Sequence, residues 1–410
     1  MKHLRSLGLI LSVGIVMTSL IGCGGQSGRP SDQSNSGTGT AAGKTAEEAA
    51  VKPVTLGIID VAGSLQLVQA SIDEFVSKNP DIVSDVEYIK ATAPELASKL
   101  KAQQTANNLD TALIFTGFDG LASGLEQDVW EELLPKHVDA LPNIEGQLLE
   151  GAKLAFDIGK GYAIPHAFCP GGPMFTYNPD MVKEVPKTAE DLLAFAKANP
   201  GKFLYARPSN SGPGSAFLQG LPYILGDTDP KDPKTWDKTW AYLKELDQYI
   251  DYYPTGTGIT FRELAEGTRW IIASHMGWDM NQRILGTIPQ TFQGFFLDKS
   301  TWVADANFVA VPKGLTEDKL NATLKLVAFL MTPEQQAVTY DSGYMYPGPA
   351  IKDVPLSMAP KDSQDKVGAA MRDEYEKAIK DIPTGTQLEP EALVEAYDMW
   401  DKLVGAKVKK

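Results

Sequence analysis

The sequence predicts an α/β protein built from two units, each a mostly parallel β-sheet flanked by helices. Strand-like and helix-like segments alternate from residue 54 onward, and the alternation begins again after residue 165. This order is typical of parallel sheets covered by helices. The chain has 410 residues, of which 43% are hydrophobic, so it is long enough to form a large core in a two-lobed protein.

The first unit is predicted to contain three strands separated by two helices. The predicted strands are residues 54–59, 86–89 and 110–115. The first helix has its apolar residues at helical spacing. The second begins at a capping box made by Thr92 and Glu95, in which each side chain binds the backbone of the other residue.

The second unit repeats this alternation and ends in a helical region. Its predicted strands are residues 174–177, 202–206 and 270–273, and a strand at 307–311 is predicted to return to the first unit. Thr188 is placed to cap a helix. Amphipathic helices are predicted around residues 371–379 and 393–403.

Two loops at strand ends in the first unit are candidate binding loops, since ligands of such sheets lie beyond the carboxyl ends of the strands. Asp60 and Ser64 bound the first loop, and Thr116 and Asp119 bound the second. Ordinary turn chemistry explains the same residues equally well.

A third candidate is the strand-to-helix junction at residues 207–215. Ser209, Asn210, Ser211 and Ser215 supply more polar groups than one helix cap needs. The free N–H groups of a helix start attract anions or carbonyl oxygens. The alternative is a structural cap that uses a single serine.

The remaining candidates combine aromatic rings with polar groups. Trp278, Asp279 and Asn281 follow a predicted strand; the ring suits stacking or a cation, and the carboxylate suits an amine. The alternative is a partly buried tryptophan beside a capping aspartate. Tyr177 and Tyr344 are the other aromatic candidates, and core packing explains Tyr177 about as well.

The N-terminus predicts an export signal and an anchor. Residues 1–22 combine a basic start with a short apolar run, as in a secretory signal. They end in Leu-Ile-Gly before Cys23, which resembles a bacterial lipobox. This resemblance implies cleavage before Cys23 and a lipid on its thiol. Residues 23–50 are predicted to be a disordered polar tether. The alternative is an uncut membrane helix.

Charge and residue types exclude several classes of function. The net charge of -14 argues against a nucleic-acid partner, and two cysteines exclude a disulfide scaffold. No zinc motif or other metal site is predicted, and neither is a cofactor. Tyr252 and Tyr253 are interpreted as packing rather than iron ligands. The sequence predicts no enzyme; the alternative is a surface hydrolase that uses His275 or Cys169.

The order of these features resembles that of extracellular solute-binding proteins of ABC importers. Residues 94–110, 261–279 and 332–343 resemble three segments of that family. The resemblance is strongest to the branch that includes thiamine-, polyamine- and iron-binding proteins. It covers most of residues 54–405.

The resemblance implies a type II periplasmic-binding-protein fold with a ligand cleft between the two lobes. The first lobe is expected at residues 51–165 plus 304–345, and the second at 166–303 plus 346–410. Hinge crossings are expected near residues 162–165 and 302–308.

The implied protein is a monomer that closes on a small-molecule solute and delivers it to a membrane permease. Aromatic and acidic candidates together favour an amine-bearing or thiamine-like solute, and sugars remain an alternative. A scaffold or adhesion lipoprotein is a further alternative.

Overall fold

The computed structural model describes residues 52–61 and 63–405. The predicted signal peptide at residues 1–22 lies outside the described residues, as does the predicted tether with Cys23. Among the residues that are described, no helix is both long enough and apolar enough to span a membrane.

The described residues form eleven strands and fifteen α-helices. The strands are β1 (Val54–Asp60), β2 (Val83–Lys90), β3 (Thr111–Thr116), β4 (Ala163–Gly172), β5 (Met174–Tyr177), β6 (Phe203–Leu204), β7 (Ile271–Ser274), β8 (Gln293–Phe295), β9 (Trp302–Ala310), β10 (Gly348–Pro349) and β11 (Thr384–Gly385). The helices are α1 (Leu65–Lys78), α2 (Ala93–Thr105), α3 (Phe118–Glu126), α4 (Ile144–Gln147), α5 (Glu150–Ile158), α6 (Ala189–Ala198), α7 (Gly212–Leu225), α8 (Asp237–Asp247), α9 (Thr257–Ala265), α10 (Met276–Ile284), α11 (Glu317–Leu330), α12 (Pro333–Val338), α13 (Lys361–Ala370), α14 (Asp373–Asp381) and α15 (Pro390–Leu403).

Local sequence signals fix several helix starts. The capping box of Thr92 and Glu95 begins α2, and Thr188 caps α6 through a second box with Asp191. In α1 the buried residues include Val68 and Ile72, four apart on one helical face. The predicted helices at these positions are therefore confirmed.

The strands form two mixed sheets, each at the centre of one lobe. The large sheet has the order β10-β4-β9-β3-β1-β2, with β11 also paired to β9, and the small sheet has the order β6-β7-β5-β8. Strand β1 is parallel to β2 and β3, but β9 is antiparallel to β3 and β4. The prediction of mostly parallel sheets is wrong in this respect, because β9 returns from the small-sheet lobe in the opposite direction.

The first crossing between the sheets falls later along the chain than the sequence predicts, and the return falls just before the predicted residues 302–308. The chain leaves the large sheet between Gly172 and Met174 and returns between Phe295 and Trp302. The predicted crossing at 162–165 instead falls at the start of β4. Pro165 suggested a break there, but β4 continues past it with a shift in its register against β9.

The C-terminal segment also differs from its predicted place in the second lobe. Strands β10 and β11 pair with β4 and β9 of the large sheet. Helix α15 contacts α3, while the Trp400 indole N–H donates to the Tyr205 hydroxyl in the small-sheet lobe at 3.0 Å. Residues 346–405 therefore contact both lobes.

Two apolar clusters form the core. One covers the face of the large sheet that includes Leu56 and Ile58. The other begins at Ile59 on the opposite face and continues through α3 and α15 into the small-sheet lobe, where it includes Phe175 and Phe217. Alternate residues of β1 thus enter different clusters, as the two-residue period of a strand requires.

Candidate functional site

A cavity of about 240 Å³ lies between the two lobes. The loops after β1 and β3 line it together with strand β9, and the starts of α7, α9 and α10 face them from the small-sheet lobe. Its lining residues are Val61, Gly117, Phe118, Asp119, Pro208, Asn210, Ser211, Gly212, Ser215, Thr257, Trp278, Asp305, Asn307, Tyr344, Met345, Gln387 and Tyr397.

Asp119 brings a carboxylate to the cavity. It lies in the first turn of α3, directly after β3, and accepts a hydrogen bond from the Gly120 N–H at 2.8 Å. Burial raises the pKa of Asp119 to about 6, the Gly120 bond lowers it, and the charge of Asp305 raises it. Its carboxylate is therefore charged at neutral pH but is poorly solvated.

Asp305 is the second carboxylate of the cavity. It projects from β9, and its Oδ2 lies 3.5 Å from Nε2 of His275, which is buried at the start of α10. Nδ1 of His275 lies 3.3 Å from the backbone nitrogen of Trp278, and Nε2 faces Asp305. Burial lowers the pKa of His275, but its contacts with Asp305 and Cys169 outweigh this and raise the pKa to about 9, so the imidazole is a cationic partner of Asp305 at neutral pH. The described part of the cavity wall includes no lysine or arginine, so the two carboxylates outnumber the one imidazole behind them and the wall favours a cation.

Aromatic rings form one side of the cavity. Trp278 is half-buried; its ring stacks on Phe261 with centroids 6.0 Å apart and meets Tyr344 edge-on at 5.5 Å. Burial raises the pKa of Tyr344 above its usual range. The phenol therefore stays neutral, and the rings offer faces suited to an organic cation.

The start of α7 is tied into a hydrogen-bond network. Ser211 caps the helix by accepting the Gly214 N–H at 3.1 Å, and its hydroxyl lies 2.7 Å from that of Thr257. The hydroxyl of Ser215 lies 2.8 Å from that of Tyr397. Much of the polarity of this junction therefore stabilises the helix start and holds α15 against it.

The structure brings six of the predicted binding residues together at the cavity. They are Asp119, Asn210, Ser211, Ser215, Trp278 and Tyr344. They come from both lobes and from the loop before β10, in keeping with the cleft expected between the two lobes.

Asp279 does not line the cavity, and its predicted role in binding an amine is wrong. Its side chain is fully buried and forms an ion pair with Arg283, with Oδ2 2.7 Å from Nε. It also accepts hydrogen bonds from the hydroxyls of Thr176, at 2.6 Å, and Tyr375. On helix α10 it points about 100° away from Trp278, into the core rather than the cavity.

The candidate residues in the two loops of the first lobe form hydrogen bonds with backbone groups. Asp60 accepts the Ser64 N–H at 2.9 Å, and Ser64 begins α1. The hydroxyl of Thr116 donates to the Gly117 carbonyl at 3.3 Å. All three side chains are buried and lie outside the cavity lining, so their direct contact with a ligand is not supported.

Three further candidates lie away from the cavity wall. Tyr177 donates its hydroxyl hydrogen to Gln293 at 2.7 Å, and Asn281 donates to the Ser342 carbonyl at 3.1 Å. Both act as structural links. Ser209 lies next to Asn210 but is not among the lining residues.

Several residues of the cavity were not predicted from the sequence, above all Asp305 and Asn307 on β9. They are two residues apart and therefore project from the same face of the strand. Two polar residues at this spacing within an apolar run (Trp302–Ala310) were an available signal. Gln387 and Tyr397 belong to the C-terminal segment, and no comparable pattern in the sequence marked them as binding residues.

Cys169 and His275, the two residues of the hydrolase alternative, contact each other, and His275 also contacts Asp305, but Cys169 and His275 both lie behind the cavity wall. Cys169 is fully buried in β4, and its sulfur accepts the Gly171 N–H at 3.2 Å. Neither it nor His275 is among the lining residues of the cavity. Across residues 52–61 and 63–405, no group of three or more histidine, cysteine or acidic side chains is arranged to hold a metal ion.

Comparison of the sequence with known proteins finds similar proteins. The sequence profile of the family described as bacterial extracellular solute-binding protein matches residues 70–371. Protein YnjB of Escherichia coli (strain K12) is 28% identical over 184 residues, which cover 40% of this chain and 46% of that protein. The match thus spans about half the length of this curated relative.

Solved structures share the fold. An ABC transporter protein from Clostridium perfringens ATCC 13124 aligns with a TM-score of 0.63 and 13% identity, covering 86% of this chain and 99% of that one. The spermidine/putrescine-binding protein PotD from Streptococcus pneumoniae aligns with a TM-score of 0.56 and 15% identity, covering 85% and 98%. Binding proteins for thiamin and iron are also among the neighbours, so the predicted fold is confirmed.

Proposed function

The chain belongs to the bacterial extracellular solute-binding protein family, and on this premise we propose that it captures a small organic cation and delivers it to the permease of an ABC importer. An amine-bearing or thiamine-like compound has the required chemistry. The names of two structural neighbours, which bind spermidine or putrescine and thiamin, agree with this ligand class.

The observation that carries the proposal is the charge of the cavity wall. Asp119 and Asp305 line the cavity, and no lysine or arginine accompanies them among its lining residues. A carboxylate that has lost part of its hydration is stabilised by a cation that replaces the lost water. The rings of Trp278 and Tyr344 can receive the apolar body of the same ligand.

The size of the cavity limits the ligand. At about 240 Å³ it lies just below the range of ~300–1,000 Å³ typical of drug-sized ligands. This volume suits a small solute.

Capture by closure follows from the two-sided lining of the cavity. Asp119 and Asp305 belong to the large-sheet lobe, whereas Ser211 and Trp278 belong to the small-sheet lobe. A ligand that contacts both lobes favours the closed arrangement because only that arrangement provides all the contacts. The closed form of the monomer is then the species that docks on the permease, without chemical change to the solute.

Anchoring is part of the proposal. Cys23 carries the lipid and the tether at residues 23–50 links it to the binding domain, which keeps the receptor at the outer face of the cell membrane. A lipid-bearing cysteine is the physical means of holding such a domain near a permease.

Thermal unfolding of the full chain with a panel of solutes tests the proposal. The panel contains thiamine, putrescine and 4-amino-1-butanol as cations, glucose as a neutral solute and citrate as an anion. A ligand at a hundredfold excess over its dissociation constant adds about 2.7 kcal/mol of stability. We expect this only from cations. Stabilisation by glucose alone would overturn the ligand class, and turnover of any solute would favour an enzyme.

A further inference from the structure

Asn307 is a buried polar residue whose hydrogen-bonding capacity is not filled by the described residues. It lies in β9, is 4% exposed and lines the cavity. Its amide nitrogen Nδ2 has no hydrogen-bond partner among the described residues. Buried amide groups are normally paired, so an unpaired one on the wall of a binding cavity needs a partner from elsewhere.

The neighbours of Asn307 explain why no protein group supplies this partner. Ala167 of β4 pairs with it directly. On the other side Phe308 pairs with Thr116, which places Gly117 beside Asn307 at the cavity wall. Neither alanine nor glycine has a side-chain acceptor. The amide thus lies in a gap between two small residues that leave its N–H groups free for a ligand.

The ligand must therefore present an acceptor as well as a cation. A protonated alkylamine offers only donors, so a simple diamine leaves the Asn307 N–H groups unpaired. A ligand carboxylate accepts hydrogen bonds, but it would add a third anion beside Asp119 and Asp305. A neutral oxygen or ring nitrogen avoids both problems.

The start of α7 does not provide a better position for this acceptor. An added Cβ on Gly212 would stand only 3.2 Å from Oδ2 of Asp305, so this helix start already faces a carboxylate. Ser211 in turn accepts the Gly214 N–H. The acceptor of the ligand is therefore assigned to Asn307.

We propose that the physiological ligand is an organic cation with a neutral hydrogen-bond acceptor, such as a hydroxyl or amide oxygen, and that Asn307 selects for this acceptor. The inference rests on the proposed function, since it presumes a cation at Asp119. Asn307 is then the residue that separates such ligands from simple diamines and from zwitterions.

Isothermal titration of the full chain with four ligands that share a four-carbon chain tests the inference. The ligands are 4-amino-1-butanol, butylamine, putrescine and 4-aminobutyrate, which share one amine and differ only in the other end; two- and six-carbon homologues repeat the comparison. We expect the alcohol to bind tightest, by about tenfold over butylamine, as one hydrogen bond predicts. We expect Asn307→Leu to abolish this difference.

Two further variants make the result specific. Asn307→Asp keeps the shape but adds a charge, and should shift the preference to putrescine. Asn321→Leu, which alters an exposed residue on α11, should leave all four affinities unchanged.

Equal binding of butylamine and the alcohol, tightest binding of putrescine or 4-aminobutyrate, or a preference for the alcohol that survives in Asn307→Leu would each overturn the inference while leaving the cation receptor intact. Binding of no cation at any length would overturn the proposed function itself, and with it this inference.

Discussion

Replacing Asp119 with asparagine separates the charge of the cavity from its shape. The amide has nearly the volume of the carboxylate and can still accept the Gly120 N–H, so the start of α3 should remain in place. What is lost is the negative charge that we propose holds the cation of the ligand. The variant should therefore bind more weakly, yet unfold no more easily than the wild-type protein.

The loss of affinity follows from the surroundings of the carboxylate. Removing one partner of a buried, hydrogen-bonded charge pair costs about 2–5 kcal/mol. Asp119 is partly exposed, and Asp305 still attracts the cation, so the lower end of this range applies. We expect Asp119→Asn to weaken the binding of the best cation in the panel by about 30- to 150-fold, which corresponds to ~2–3 kcal/mol at 1.4 kcal/mol per factor of ten.

Asp119→Asn should make the ligand-free protein more stable, although it weakens the binding of cations. Burial raises the pKa of Asp119 from 3.8 to about 6, so the unfolded chain releases this proton more readily than the folded one, and folding becomes less favourable as pH rises through that window. Taken in full, this pKa shift corresponds to about 3 kcal/mol of stability gained by Asp119→Asn. Asp119 is partly exposed, and an acid at a helix start is favourable, so we expect a gain in the free energy of unfolding of only ~1–2 kcal/mol.

Titration calorimetry and guanidinium unfolding near pH 8 measure the two effects on the same samples. Asp128→Asn is the matched control, since Asp128 is an exposed residue of the same lobe with a positive φ that asparagine tolerates. The control should keep the wild-type affinity. If Asp119→Asn binds cations within about threefold of the wild type, electrostatic recognition at this residue is refuted.

Three further outcomes follow from the same contacts. Cation affinity should fall about tenfold per pH unit below about pH 6, where Asp119 takes up its proton; calorimetry between about pH 5 and 8 that finds constant affinity would contradict this. Asp279→Asn leaves Arg283 without its buried ionic partner, so guanidinium unfolding should show a free energy of unfolding lower by about 3–5 kcal/mol. The affinity of the folded protein for cations should stay within threefold of the wild type. A loss of affinity without a loss of stability would show that Asp279 belongs to the binding site. Cys23→Ser should release the protein from membranes on fractionation, and persistence in the membrane fraction would reject lipid anchoring.

The fold was largely predictable because its elements carry local signals. A capping box, a run of β-branched residues or helical spacing of apolar residues each acts within one element, as at Thr92 and in α1. Strand direction and sheet membership depend on pairing between distant segments. The continuation of β4 past Pro165 and its pairing with β9 are set by the partner strand, which no local pattern describes.

The site was only partly predictable, and two adjacent residues show the reason. Trp278 and Asp279 were predicted to bind ligand together, on the assumption that both follow a strand. They do follow strand β7, but they lie on helix α10, where successive residues point about 100° apart. One side chain therefore lines the cavity, and the other is paired with Arg283 in the core. Residue type alone could not distinguish a carboxylate that binds ligand from one that stabilises the fold.

Asp305 and Asn307 were not predicted from the sequence, but their position on β9 explains the role we propose for them. On β9 the flanking Ala304 and Ala306 are at most 2% exposed and pack into the core, so the strand is held firmly by its apolar face. Asp305 and Asn307 project from the other face, at the point where the chain has just returned from the small-sheet lobe. Asp305 is only partly exposed and Asn307 is buried there, so neither polar group is fully hydrated. A ligand of matching charge and hydrogen bonding, as proposed above, would supply the acceptor that Nδ2 of Asn307 lacks among the described residues and would add to the contact that Asp305 already makes with His275, and this combination is the source of the specificity we propose.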